Sequence, residues 1–429
     1  MSYQPKMKKL ILLSCVVFLF ACKKDDTDPP VVTLFAPSAN SFSYQEQIPI
    51  GLTVTDNRQI EEVRVVIRSM THQQILQPLI FKSDKNSETF EGVIRFDDVH
   101  VESGSYYIQI VASDGENEGA AIKNIQLFGA PLLLTAIYGF DSENNSTNVL
   151  RLSDGQWSNS FAVDSKPFFS LADSYDQRLL FAGNSSQGLL ATDAESGVII
   201  GQTPGISTQE TLWQDAAYDN SKRWWWLACK DGSIRAYNTL AQSRLQFNVL
   251  GSFIPKKITI SESYVIAAVS NAAQTQHRID TYLKETGQLI HSLQVENKVD
   301  YLQALSDNRI WTFQGAEEMQ QKVYEISNNY LDEWTNFRFA SNGNLKKIVN
   351  LENSIAMLFD DGIRIYSNSG QLVASNAISL ENIFYEKLNN TIYAKASDSW
   401  MLFNGSLLTE EGSINANSSV SELLFLYNK

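Results

Sequence analysis

The chain has little cysteine, histidine or proline, with 3, 4 and 10 of these residues among 429. Cys15 and Cys22 lie in or beside one N-terminal apolar segment, so Cys229 is alone in the rest of the sequence. A lone cysteine forms no intramolecular disulfide and no cysteine metal site. The sequence also lacks H-x-x-H, G-x-S-x-G and P-loop motifs, so it predicts no metal centre, no cofactor and no recognised catalytic class.

Positive charge is also scarce, because 34 Lys and Arg stand against 48 Asp and Glu for a net charge of −14. No basic run interrupts this acidity, and an acidic chain is a poor nucleic-acid binder. After residue 21 no apolar stretch approaches the roughly 20 residues that span a bilayer. We therefore expect no nucleic-acid partner and a mature chain that meets membranes only through a lipid.

The N-terminus has the pattern of a secretory signal over residues 1–21. Lys6, Lys8 and Lys9 precede the apolar run Leu10–Ala21, which is too short to span a membrane. The stretch Leu-Phe-Ala-Cys that ends at Cys22 resembles the bacterial lipobox, and this resemblance implies that Cys22 is lipidated. The alternative is a signal peptide beside an incidental cysteine.

Four charges follow the cysteine in a tether over residues 22–28. Lys23, Lys24, Asp25 and Asp26 resemble the lipoprotein export signal of the Bacteroidetes. The resemblance implies an outer-membrane lipoprotein that faces the cell exterior. The alternative is a solvated tether, as short charge runs often are.

Residues 29–129 contain six or seven short β-rich runs separated by turn residues, which favours an immunoglobulin-like β-sandwich. The segment 104–119, GSYYIQIVASDGENEG, resembles the last strands of immunoglobulin-like or cadherin-like domains. Those domains often bind calcium, for which Asp56, Asp114, Glu116 and Asn117 are candidates. Asp-Gly is also a turn signal, so a spacer or docking unit is the alternative.

Residues 130–429 carry a repeat of 37 to 47 residues, which is typical of four-stranded propeller blades. Apolar runs begin near Leu132, Leu179, Trp224, Tyr264, Ile310, Ile355 and Ile392. The first repeat begins at its second strand, 132–140, and a spare strand, 421–428, follows the last repeat. We predict a seven-bladed β-propeller that this C-terminal strand closes, with six or eight blades as alternatives.

A glycine lies in a hairpin after the apolar runs of five repeats, where short turns need positive φ. These glycines are Gly155, Gly197, Gly287, Gly370 and Gly405. The two repeats that contain Tyr237 and Tyr324 lack it. In architecture the segment resembles WD40-like or quinoprotein-like propellers, but the Gly-His and Trp-Asp pairs are missing, so the resemblance implies a fold and no function.

Candidate site residues in the propeller are few. Asp173, Asp215 and Asp307 could face a central pore, although acids at strand ends are more often turn formers. We interpret Trp224-Trp225-Trp226 as packing on both faces of a strand, with a sugar-stacking platform as the alternative. We expect Trp157, Trp334 and Trp400 to be surface aromatics that contact a glycan or a protein.

The sequence thus predicts a non-catalytic surface lipoprotein of all-β class. We expect it to act as a protein-binding subunit of an outer-membrane complex for transport, export or barrel assembly, with a β-barrel or other lipoproteins as partners. A glycan-binding lipoprotein beside a polysaccharide importer is the second hypothesis. A calcium-dependent propeller lyase or hydrolase is the third.

Overall fold

The computed structural model describes residues 27–143, 146–164, 166–183, 188–205, 212–314, 319–339, 344–351, 353–415 and 419–429. Every regular element in this part of the chain is a β-strand. Within it, no helix is long and apolar enough to cross a membrane. The chain divides into two compact units between Pro131 and Leu132. The signal segment 1–21, Cys22 and the export residues Lys23, Lys24, Asp25 and Asp26 lie outside the described residues.

The first unit is a sandwich of a three-stranded and a five-stranded sheet, with strand orders β1-β3-β6 and β2-β8-β7-β4-β5. The strands are β1 (Val31–Ala36), β2 (Ser41–Ser43), β3 (Gln47–Thr55), β4 (Glu62–Ser69), β5 (Leu79–Lys82), β6 (Ser87–Arg95), β7 (Gly104–Ser113) and β8 (Glu118–Phe128). One core joins the sheets, and Leu52 and Ile108 lie fully buried in it. The immunoglobulin-like assignment stays a prediction.

The described residues of the second unit form seven four-stranded antiparallel sheets, numbered here along the chain. Sheet 1 has β9 (Leu134–Glu143), β10 (Ser146–Ser153) and β11 (Gln156–Val163) with β36 (Val420–Tyr427). Sheet 2 has β12 (Phe169–Asp173), β13 (Arg178–Ala182), β14 (Leu189–Asp193) and β15 (Ile199–Thr203). Sheet 3 has β16 (Trp213–Asp219), β17 (Trp224–Cys229), β18 (Ser233–Asn238) and β19 (Ser243–Asn248). Sheet 4 has β20 (Phe253–Ile260), β21 (Tyr264–Asn271), β22 (His277–Leu283) and β23 (Leu289–Val295).

The remaining three sheets repeat the same order. Sheet 5 has β24 (Val299–Ala304), β25 (Arg309–Gln314), β26 (Met319–Glu325) and β27 (Tyr330–Phe339). Sheet 6 has β28 (Leu345–Leu351), β29 (Ser354–Phe359), β30 (Gly362–Ser367) and β31 (Leu372–Asn376). Sheet 7 has β32 (Asn382–Glu386), β33 (Thr391–Lys395), β34 (Ser399–Asn404) and β35 (Glu410–Asn415). The apolar runs found in the sequence are the second strands of these sheets, which are buried on both faces.

Apolar clusters join each sheet to the next and make the sheets a closed ring. Trp225 packs with Leu180 between sheets 2 and 3, and Trp226 packs with Val265 between sheets 3 and 4. The last sheet meets the first through Trp400, which shares a cluster with Leu423 of β36. The all-β class and the β-propeller that the sequence predicts are therefore confirmed.

The C-terminal strand β36 is the inner strand of sheet 1. It pairs antiparallel with β9, with Leu424 opposite Tyr138 and Leu426 opposite Ala136. Its hydrogen bonds reach both neighbouring sheets, because Ser174 bonds the Tyr427 backbone N–H and Asn382 bonds the Ser421 carbonyl. The spare strand therefore closes the ring.

Each sheet places its inner strand at the central channel, with one edge paired to its own sheet. Because the strands alternate in direction, the turns between the first and second strands and between the third and fourth strands lie at one end of the ring. We call this end the turn face. The other connections lie on the opposite face.

Left-handed residues form the turn between the third and fourth strands. Gly197 and Gly287 have φ of +70° there, as predicted. Ala241 and Asn329 take the same conformation in the two repeats that lack glycine, at φ of +56° and +47°. In sheet 7 the left-handed residue is Leu408, whose N–H bonds to the Asn404 carbonyl as the Gly197 N–H bonds to Asp193. The prediction that Gly405 takes positive φ in this turn is therefore wrong, because Gly405 lies three residues before the left-handed position.

Candidate functional site at the mouth of the central channel

A cavity of about 850 Å³ lies at the turn-face end of the central channel. The inner strands of sheets 1, 2, 6 and 7 form its walls, and the turns after the inner strands of sheets 2, 3 and 7 form its rim. We call it the channel-mouth cavity. Leu171, Ile348 and Leu423 are among its apolar lining residues. The site therefore draws on segments that are more than 250 residues apart in sequence.

Cations predominate in the walls of this cavity although the chain as a whole is acidic. Arg223, Lys347, Lys387 and Lys429 line it, and Asp173 is the only carboxylate side chain among the described lining residues. Low-dielectric walls concentrate the field of such charges. The cavity is therefore suited to an anionic group.

Arg223 and Asp173 form one wall of the cavity. The Arg223 guanidinium lies 3.1 Å from Asp173, forms a second ion pair with Asp176, and stacks over the Tyr175 ring at 4.2 Å. Tyr218 donates a 3.0 Å hydrogen bond to Asp173, and burial together with this carboxylate raises the pKa of the Tyr218 phenol strongly. The network fixes the wall and neutralises the Asp173 charge.

Lys347 lies at the inner end of the cavity on β28. Its ammonium donates a 2.8 Å hydrogen bond to the Asn382 side-chain oxygen and lies 3.4 Å from the centre of the Phe384 ring. Burial lowers the pKa of Lys347 to about 8, partly offset by the charge of Glu422. Burial likewise raises the pKa of the Glu422 carboxyl. No carboxylate of the described residues lies within ion-pair distance of this ammonium.

Tyr427 lines the cavity on β36 and contacts Glu386, a buried residue that is not among the described lining residues. The Tyr427 hydroxyl donates a 2.7 Å hydrogen bond to Glu386, whose carboxylate also accepts the N–H groups of Leu388 and Asn389 at 2.8 Å. Lys387 lies over the Tyr427 ring at 4.8 Å. The carboxylate therefore caps a turn and leaves Lys387 exposed at the mouth.

The acids that the sequence singled out have structural partners. Asp173 pairs with Arg223 as described above. Asp215 lies in the channel beside Lys257 at 3.4 Å and accepts the Ile258 N–H at 2.9 Å, and burial raises its pKa. Asp307 accepts the N–H of Ser263 at 2.7 Å, and this bonding lowers its pKa. The contacts give all three acids structural partners, and Asp215 lies within β16 rather than in a turn.

The three tryptophans proposed as surface contacts lie in different environments. Trp400 is fully buried between sheets 7 and 1, so its prediction as a surface residue is wrong. Its strand, β34, forms a hairpin in the sequence, but the neighbouring sheet covers the tryptophan. Trp157 is half-buried, and its ring lies over Gly139. The side chain of Trp334 lies outside the described residues. Of Trp224 to Trp226, the last two are buried in clusters on opposite faces of β17, as interpreted.

The calcium candidates of the first unit are engaged with one another and with the backbone. Asp114 accepts the N–H groups of Glu116 and Asn117 at 2.7 and 2.6 Å, and Glu116 pairs with Arg58 at 2.7 Å. Within the described ranges, no group of three or more His, Cys, Asp or Glu side chains is placed to hold a metal ion. Cys229 is buried, which raises the pKa of its thiol to about 12.

Exposed large hydrophobic residues concentrate at the turn face around this cavity. They recur where the fourth strand of a sheet begins, and at the turns after the inner strands. We call them the apolar rim: Tyr175 47%, Val198 60%, Ile199 54%, Leu305 39%, Tyr330 49%, Leu372 56%, Val373 53%, Leu388 42% and Leu407 66% exposed. On the opposite face, Leu250 and Phe168 are the comparable side chains within the described part of the propeller.

Sequence reasoning missed both Arg223 and Lys347 as site residues. The available signal was weak, since each is the second of two adjacent cations beside apolar residues. Only the closure of the ring brings these positions, 124 residues apart, into one cavity.

No protein-family model matches the chain, and neither does any curated protein sequence. Solved structures similar to it include the RRP9 WD40 repeats, at 11% identity over 57% of this chain and 79% of that one, with a TM-score of 0.46. Hydrazine synthase of Kuenenia stuttgartiensis is 12% identical over 56% and 76%, with a TM-score of 0.45. BamB from Moraxella catarrhalis is 16% identical over 67% and 88%, with a TM-score of 0.43. At this level of similarity no function carries over to the chain.

Proposed function

We propose that this protein is a non-catalytic, lipid-anchored scaffold that binds a partner protein through the turn face of its propeller. One observation carries the proposal: the apolar rim lies on one face and surrounds a cation-lined cavity. Exposed apolar side chains scattered singly need no explanation, but their concentration on one face is typical of an interaction site. Protein interfaces also combine apolar anchors with charged groups that set orientation.

We further propose that the scaffold lies at the outside of the outer membrane, in a complex for transport, export or barrel assembly. This proposal rests on Cys22 as the lipidated residue and on Lys23 to Asp26 as the export signal. Several acyl chains on one residue hold a protein at a bilayer. The partner is then an outer-membrane β-barrel or another lipoprotein.

Native purification with matched variants tests the binding face. An affinity tag inserted at the exposed turn of Asp84 avoids both the anchor and the closing strand. We expect one outer-membrane protein to co-purify stoichiometrically with wild type and with Leu250→Ser. The double variant Leu372→Ser, Val373→Ser should lose it, because two exposed anchors are removed. Equal recovery by both variants would show that the turn face is not the binding face.

The anchor is tested separately. Cys22→Ser should abolish incorporation of labelled palmitate. Replacement of Lys23 to Asp26 by alanines should keep the lipid label but protect the protein from protease added to intact cells. Continued surface digestion of that variant would refute the export role of the four charges.

The other two functions remain predictions. Glycan binding loses its support from Trp400, which is buried, and the rim and cavity supply a stronger case for a protein. A calcium-dependent lyase or hydrolase has no described residue that favours it over the scaffold.

A further inference from the structure

We propose that the channel-mouth cavity receives the C-terminal end of an extended partner chain, with its terminal carboxylate held at Lys347. The proposal rests on the scaffold function and names what its central cavity takes. Three features support it. The cation at the inner end has no described carboxylate within ion-pair distance, strand edges run along the walls, and the cavity is long enough for a few extended residues.

Lys347 is the group that selects the carboxylate. An ammonium has three donors, of which one bonds to the Asn382 side-chain oxygen at 2.8 Å, while Phe384 covers one side of the charge. Within the described chain, no carboxylate comes within ion-pair distance of it, and Glu422 acts on it only through space. A carboxylate from a ligand would supply the missing charge-assisted hydrogen bonds.

The walls favour a peptide over other anions. The inner strands β12, β28, β32 and β36 each pair with only one neighbour in their sheets, so their second edges face the channel. On β36, side chains of the neighbouring sheets bond the backbone at Ser421 and Tyr427, which leaves the middle of that edge for a ligand. An extended peptide binds such edges through main-chain hydrogen bonds, which a sugar or a phosphate cannot reproduce in register. The apolar lining residues Leu171, Ile348 and Leu423 suit its alternate side chains.

The dimensions fit a short segment. From Lys347 to Leu351, where β28 ends at the turn face, there are four residue steps, or about 13 Å of strand. An extended tetrapeptide spans about the same distance. Lys387 and Tyr175 lie at the entrance, where they meet the chain as it leaves the channel.

Peptide pools test the proposal with the full-length lipoprotein in mild detergent. The probes are randomised acetylated tetrapeptides that end either in a free carboxylate or in an amide, with oligogalacturonides added as the uronic-acid control. We expect wild type to enrich carboxylate peptides at least about tenfold over amides. Lys347→Met should remove this preference, because it deletes the charge and keeps most of the apolar stem.

Two variants control the result. Lys298→Met removes an exposed lysine at the opposite end of the ring and should keep the preference. Lys347→Arg keeps the charge and should retain the carboxylate preference, so that it serves as the comparison if Lys347→Met does not fold. Equal enrichment of both pools, no enrichment of either, or enrichment of oligogalacturonides alone would each overturn the proposal.

This outcome is independent of the rim experiment. In one outcome, the Leu372→Ser, Val373→Ser variant loses the partner, and wild type shows no preference for peptides with a free terminal carboxylate. That outcome would support the scaffold function and reject the peptide-end site. In the opposite outcome, wild type prefers carboxylate peptides, but the rim variant still recovers the partner. That outcome would support the peptide-end site and reject the turn face as the binding face.

Discussion

The Tyr427 hydroxyl donates a buried hydrogen bond of 2.7 Å to Glu386, and this bond joins the C-terminal strand to the inner strand of sheet 7. On the other side, the Tyr427 backbone bonds to Ser174 and Gln177 of sheet 2. One residue of sheet 1 therefore links its two neighbours. These hydrogen bonds stabilise the ring at sheet 1, whose strands come from the two ends of the propeller sequence.

Tyr427→Phe tests this stabilisation. The change keeps the ring and removes one hydrogen bond to a buried carboxylate, which should lower the unfolding free energy by about 1–3 kcal/mol. Chemical denaturation measures the loss. Tyr393→Phe is the control, because Tyr393 is similarly buried and its hydroxyl has no hydrogen-bond partner within the described chain. An equal effect of the two variants would show that the Glu386 contact adds nothing.

Lys347→Met should change the pH dependence of stability. The pKa of Lys347 is about 8 in the folded chain against an ordinary 10.5, so between these values the unfolded chain binds more protons. The unfolding free energy of wild type should therefore rise with pH in this window. The groups that face Lys347 are Asn382 and Phe384 on β32 and Glu422 on β36.

Denaturation curves at several pH values check this difference. The methionine variant should be more stable than wild type at pH 7, and its advantage should shrink toward about pH 10. Lys298→Met, which removes an exposed lysine, is measured alongside as the matched control. A constant difference between Lys347→Met and wild type across the range would contradict a depressed pKa.

The buried ion pair of Lys284 and Asp219 offers a further test. Their side chains are 2% and 4% exposed and lie 3.0 Å apart. Lys284→Met alone leaves a buried carboxylate without its cation and should cost about 3–5 kcal/mol of unfolding free energy. Adding Asp219→Asn should recover part of that loss, because the uncompensated charge is gone. A double variant as unstable as the sum of its parts would argue that the pair is not coupled.

Alanine substitution at two glycines with the same backbone conformation distinguishes the cost of a steric clash from the cost of the left-handed conformation. Gly287 and Gly155 have φ of +70° and +73°. A Cβ at Gly287 would come within 2.3 Å of the Phe247 ring, whereas a Cβ at Gly155 meets nothing within 4 Å. Both alanine variants should lose about 1 kcal/mol to the left-handed conformation. Gly287→Ala should lose a further 1–3 kcal/mol or so through overpacking, and thermal melting of the two variants measures the difference.

The propeller could be predicted from the sequence because its signal is local and repeated. Each sheet buries its second strand on both faces, so runs such as Trp224–Cys229 are apolar throughout. The left-handed turn positions could be predicted only where the turn contains glycine. Ala241 and Leu408 adopt positive φ without being glycine, because the surrounding hairpin fixes them.

The cavity could not be predicted in the same way. Its charged residues come from strands and turns that are far apart in the chain, such as Lys347 on β28 and Arg223 in the turn before β17. Trp400 shows the opposite error, since its exposure depends on a neighbouring sheet that the hairpin sequence does not reveal. The local sequence pattern predicts that a segment is a strand. Whether its side chains are buried in the ring depends on which sheets pack beside it.

Because β36 supplies the inner strand of the first sheet, ring assembly depends on the order in which the chain becomes available. Sheets 2 to 7 have all their strands in sequence, but sheet 1 waits for Val420–Tyr427. Until that segment arrives, β9 offers an unsatisfied edge and the buried face of Trp400 lacks its cover. Without residues 420–427, sheet 1 therefore lacks its inner strand and the ring cannot close.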